Sequence, residues 1–206
     1  MITTKELFHK FLGFIEYGDL NYEFDECEIR YATPSIGLEM GYYSLSKTDL
    51  LVGGIKRGHL LKRPNKSFDG YIYYFVDEQL VLAKRVIDNN DRSVTFLKRE
   101  ENYCFGYTFD ILNHLVPARC FVYEMDGDNI VAFKTFSGYP LKENWPNDII
   151  REEQYEYKKG NLYSISERIS LYDFSVESEQ LRSETVYDYF TGKYWCSSKK
   201  NGFDGV

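Results

Sequence analysis

The side chains in this 206-residue chain best suited to nucleophilic or metal chemistry are three histidines and four cysteines. Their spacing supports neither use. His9, His59 and His114 stand far apart, with no HxH or HExxH pairing to bring two imidazoles to one metal. Cys27, Cys104, Cys120 and Cys196 form no CxxC pair. Fifteen residues separate Cys104 from Cys120, and no second pair completes a zinc site. There is no GxSxG elbow. Cys104 or Cys120 could meet His114 in space, and 32 carboxylates could pair almost anywhere, so neither possibility marks a place. The expectation is that no catalytic residue, metal or cofactor is assigned, and the protein reads as a binder before an enzyme.

Two sets of residues could bind without chemistry. GGIKRG, residues 53–58, resembles a phosphate-binding glycine loop but fails GxxxxGK[ST], because His59 stands where the lysine belongs. Lys56, Arg57, His59, Lys62, Arg63 and Lys66 still form a local basic cluster in an acidic protein. Such a cluster could hold a phosphate or carboxylate through charge-assisted bonds. It could equally be a strand edge guarded by lysines against aggregation. The second set is aromatic. Tyr155 and Tyr157 share one strand face, as do Tyr187 and Tyr189, and stacking across strands would make them a recognition stripe. A half-wet sheet face without a partner fits the same pattern. The loop 139–148, with Tyr139, Trp145 and two prolines, adds a candidate recognition element.

The elements that must position these residues are mostly strands. One helix is expected over 3–17, opened by a Thr3–Glu6 capping box. It carries an apolar stripe of Leu7, Phe8, Phe11, Leu12 and Ile15, and Gly18 serves as its stop. A β meander is expected over 20–200. Leu20, Tyr22 and Phe24 alternate, a bulge falls at Asp25–Glu26, and YIYYFV at 71–76 suits a strand covered on both faces. Four hairpins follow. YIYYFV turns through DEQ, the arm from Phe121 through DGDN, the arm from Tyr155 through KKGN and the arm from Tyr187 through TG. The last two copies keep an offset of 32 residues (Tyr155/Tyr187, Gly160/Gly192), which fits a degenerate repeat or an ordinary meander. These aromatic-glycine hairpins resemble bacterial YD-type or MORN-like repeats, a resemblance that carries no function. FDILNHLVP, 109–117, is expected to form a short helix ending before Pro117.

Composition narrows the classes. With 43% hydrophobic and 17% aromatic residues the chain is not disordered, and no linker divides it, so one domain over 1–206 is expected. No run is long and apolar enough for a membrane helix, and MITTKELFHK lacks the features of a signal peptide. A cytoplasmic protein without membrane or nucleic-acid partners follows, its net charge being −7. Residues 1–103 hold 14 basic and 16 acidic side chains, residues 104–206 hold 11 and 16, so a basic partner would be steered to the second half. The fold expected is an antiparallel meander of about ten strands forming a curled sheet or barrel with the helix packed on it. The function expected is a non-enzymatic interaction protein, possible instances being an immunity-type protein that binds a basic protein. The alternatives are a calycin-like barrel holding a small ligand and an enzyme with an unrecognised site.

Overall fold

The computed structural model describes residues 1–18, 20, 27–35, 38, 40–111, 114–137, 147–190 and 193–200, with backbone alone for 147, 188–190 and 193–200. Helix α1 spans Thr4–Tyr17. Thr3 caps it and both halves of the capping box form: Thr3 Oγ1 accepts from the Glu6 amide, and Glu6 accepts from the Thr3 amide at 2.7 Å. The Gly18 amide closes the far end on the Phe14 carbonyl.

Among the described residues twelve strands make one sheet: β1 Glu28–Ala32, β2 Leu60–Leu61, β3 Gly70–Val76, β4 Gln79–Ile87, β5 Asn90–Glu100, β6 Tyr103–Ile111, β7 Leu115–Asp126, β8 Asn129–Ser137, β9 Asn147–Lys158, β10 Asn161–Asp173, β11 Ser178–Phe190 and β12 Lys193–Lys200. From β3 to β12 every strand lies beside its neighbours in sequence, and β1 then β2 extend the β3 side. Tight turns explain the meander. Asp77–Glu78, Asp88–Asn89 and Lys159–Gly160 each hold two successive positive φ angles, the hairpin geometry whose twist matches that of the strands.

The sheet is open, with β2 and β12 at its two ends. Of the two expected forms, the barrel is therefore corrected: a two-residue strand flanked by exposed His59, Lys62 and Arg63 ends the ladder instead of closing it. The helix expected over 109–117 is also corrected. Its ends belong to β6 and β7, and Pro117 sits at a register shift opposite Phe109. A bulge tolerates a residue without an amide proton, so the proline breaks pairing locally without ending the strand. The bulge expected at Asp25–Glu26, with Tyr22 and Phe24, lies outside the described residues.

The middle of the sheet is covered on both faces. Leu7 and Phe11 of α1 are fully buried against Phe105, Tyr107, Phe109 and Phe136. Phe8 and Ile15 are half-buried at the margin of the same cluster. On the opposite face lies an irregular arm, residues 40–58, with a 3-10 turn at Gly41–Tyr43 and one π-type turn at Thr48–Val52. It crosses the strands, burying Met40 with Phe121, Tyr123, Phe133 and Tyr155 and packing Tyr42 and Tyr43 on Tyr73 and Phe75. Alternation along each strand sends one set of side chains to α1 and the other to the arm.

Candidate functional site

A cleft of about 320 Å3 opens where the start of α1 meets β8 to β11. Its wall is a row of charges of alternating sign. Lys134 pairs in register with Glu152, Glu152 with Arg168, and Arg168 with Glu184. Opposite charges on adjacent strands attract, and the meander places one from each strand on the helix side.

The two ends of the row differ. Lys134 is almost wholly buried and saturated: its ammonium donates to the Ile2 carbonyl at 2.9 Å and to Thr4 Oγ1, and it forms an ion pair with Glu152. It fastens the start of α1 to the sheet. Arg168 is held loosely. Its Nη1 is 3.9 Å from Glu152 Oε2 and its Nε is 4.0 Å from Glu184 Oε1, both too long for hydrogen bonds. Nε is buried and has no hydrogen-bond partner. One bulge on, buried Ser170 lies opposite Leu181, and then Tyr172 lies opposite Glu179. The exposed Glu179 accepts from Thr4 Oγ1 at 2.9 Å. Arg168, Ser170, Leu181 and Glu179 thus run in order along the cleft floor.

The arm side holds a second polar cluster, closed by its own contacts. Arg151 pairs with Asp49 at 2.8 Å, Glu153 at 2.8 Å and Glu167 at 2.7 Å. Burial works against its charge, but the three carboxylates outweigh that and hold the guanidinium above its ordinary range. Glu153 has no exposure; Ser46 Oγ donates to it at 2.9 Å, the Thr48 amide at 3.2 Å, and Tyr155 through its hydroxyl. Burial, with the Glu153 charge, pushes the Tyr155 phenol up.

This cluster relocates the expected tyrosine stripe. Tyr155 is 4% exposed and lies beneath the arm, where its oxygen accepts from the Lys47 amide at 3.1 Å. Tyr157 is half-buried and donates to the Ile130 carbonyl at 2.8 Å; Tyr187, also half-buried, donates to Glu167 at 3.2 Å. The three do share a face, but it is covered where Tyr155 stands. Tyr139, Trp145 and the side chain of Tyr189 lie outside the described residues.

The basic cluster is placed at the β2 edge. Lys56, Arg57, His59, Lys62 and Arg63 are all exposed there, and Arg57 donates to the Ser44 carbonyl at 2.8 Å. Their position flanks the short end strand. His9, His59 and His114 are exposed and belong to three separate regions of the fold. Cys27, Cys104 and Cys120 are thiols, and burial pushes Cys104 up, away from the reactive thiolate. Among the described residues no three His, Cys, Asp or Glu side chains form a group that could hold a metal. Among them, too, no helix is long and apolar enough to cross a membrane.

Sequence reasoning missed the cleft. Its only trace was a pair of adjacent charged residues on each of two strands, EE at 152–153 and ER at 167–168, since neighbours on a strand point to opposite faces.

No protein-family model matches the chain, and no curated protein matches it in sequence. Among solved structures, a protein of unknown function from Bacteroides fragilis NCTC 9343 is similar over 65% of this chain and 93% of its own, with 11% identity and a TM-score of 0.27. A likeness of that degree does not establish a common fold.

Proposed function

We propose that the protein is a non-enzymatic binding protein, and that the cleft beside the start of α1 receives its ligand or a group from its partner. One observation carries this reading: the Arg168 guanidinium, on a side chain 43% exposed in the cleft wall, has its carboxylate neighbours at 3.9 and 4.0 Å, beyond hydrogen-bond distance. An anionic acceptor at its exposed nitrogens would make the charge-assisted hydrogen bonds that neither carboxylate makes. The cleft volume falls at the lower end of the range for small-ligand sites, about 300–1,000 Å3.

The rival places fit less well. An open sheet offers no barrel interior for a calycin-like ligand. The arm occupies the tyrosine face at Tyr155. The acidic excess that would steer a basic protein is partly internal, since Glu153, Glu167 and Asp148 are engaged with Arg151 and Ser137.

Affinity capture from the source cell tests the reading, with the eluate examined for small molecules and proteins. Wild type is expected to retain a species that Arg168→Gln loses and Tyr157→Phe keeps. Equal retention by both variants would move binding away from the cleft.

A further inference from the structure

Resting on that reading, we infer that the cleft takes a zwitterion with separated charges, of the ω-amino-acid type: a carboxylate on Arg168, an alkyl chain over Leu181 and an ammonium on Glu179. The order of the floor residues supplies the argument. A cation stands at one end, a half-buried leucine and a buried serine lie between, and an exposed carboxylate stands at the other end.

The charges exclude simpler ligands. Lys134 and Glu152 neutralise each other. The positive start of α1 is met by Glu6 through the capping box. That leaves Arg168 and Glu179 as the cleft's opposed charges, with Glu184 beside the guanidinium. A simple anion on Arg168 would lie near Glu152 and Glu184, each within 4.0 Å of the guanidinium. A simple cation on Glu179 would leave the Arg168 donor unpaired. A ligand bearing both signs answers both ends.

The span sets the ligand length. Arg168 and the Tyr172 row that faces Glu179 are four residues apart on β10, about 13 Å at the usual rise per residue. Side chains on strands stand roughly perpendicular to the sheet, so we take about that separation for the two charged heads. Two hydrogen bonds of about 3 Å each leave about 7 Å between the ligand's charged groups. Glycine is too short for this, and an unbranched six-carbon ω-amino acid fits.

Titration calorimetry, with amide chemical shifts to locate binding, tests the inference. The probes are 6-aminohexanoate, hexanoate, hexylammonium and glycine. Wild type is expected to bind 6-aminohexanoate about tenfold or more tighter than the other three, with shifts at Ser170 and Leu181. Arg168→Gln and Glu179→Gln should each lose about tenfold or more, the usual effect of removing a charge-assisted hydrogen bond. The four-probe comparison needs only the wild-type protein, so it holds even if a variant is unstable. Hexanoate binding as tightly would overturn the zwitterion in favour of an anion site. Equal binding of hexylammonium would overturn it for a cation site, and equal binding of glycine would overturn the span. Absence of cleft shifts with every probe would overturn the ligand class while capture through Arg168 still stood, which separates this failure from failure of the binding reading.

Discussion

Glu153 shows how a single carboxylate is accommodated in an interior. Arg151, Ser46, the Thr48 amide and Tyr155 surround it, and it joins the arm to β9. Removing one partner of a buried charge pair typically costs about 3–5 kcal/mol, because the remaining charge stays buried. Glu153→Gln is expected to lose stability of that order in denaturant unfolding. Tyr155→Phe removes one hydroxyl that serves both Glu153 and the Lys47 amide, and is expected to cost about 1–2 kcal/mol. Asp148 gives a pH signature of opposite sign to the usual carboxylate. Burial raises it, against hydrogen bonds from Ser137 and the Ile149 amide. Its proton is therefore held more tightly in the folded state than in the unfolded one. That contribution is full below the ordinary carboxylate range and fades as pH rises through the elevated folded value. The stability of wild type relative to Asp148→Asn should fall across that interval in pH-dependent unfolding; a flat difference would remove Asp148 as the cause. At this scale the sequence was partly legible. Alternation placed Tyr155, Tyr157 and Tyr187 on one face correctly, but alternation says only which residues share a face, and nothing about what covers it.

At the level of elements, local signals proved the most readable. The capping box, the stop at Gly18 and the turns through DEQ, DGDN and KKGN each rest on contacts a few residues apart, so a short window contains them. The arm has no period and no such window, and its form is set by strands that lie far along the chain. Pro117 misled for a related reason: a proline reads as a helix end, and only the facing strand shows that it occupies a bulge. Helix α1 is part of the core. Phe11 has no exposure and stacks beside Tyr107, so Phe11→Ala is expected to cost about 3–5 kcal/mol in denaturant unfolding. Between β6 and β7, Gly106 lies opposite Phe121, whose ring lies across it; a Cβ there would stand 1.9 Å from the ring. Gly106→Ala should therefore lose at least the 1–3 kcal/mol or so of ordinary overpacking, measured as a lower unfolding midpoint.

At the scale of the molecule, a local meander is held by two non-local elements, α1 on one face and the arm on the other. Tyrosine tips on well-separated strands receive the arm's backbone: Tyr73 on β3 accepts from the Tyr42 amide, Tyr123 on β7 from Leu45 and Tyr155 on β9 from Lys47. Three of the nineteen tyrosines thus serve irregular backbone that no strand pairs, since each phenol brings apolar area and one polar atom. The arm has few backbone partners of its own, so its amides should exchange with solvent through local opening faster than those of β6 to β8, and Tyr155→Phe should speed the Lys47 amide further; hydrogen exchange read by mass spectrometry checks both. The arm also carries a timetable. Ser46 is 107 residues upstream of Glu153, the carboxylate it must meet. During synthesis at about 5–20 residues per second, the arm leaves the ribosome roughly 5–20 s before β9 exists to receive it. Over that interval β3 to β8 emerge in turn beneath Met40, Tyr42 and Leu45, but Glu153 and Tyr155, which hold the middle of the arm, are still missing. A ribosome-stalled chain ending before β9 is the form of this protein that a holding chaperone would meet.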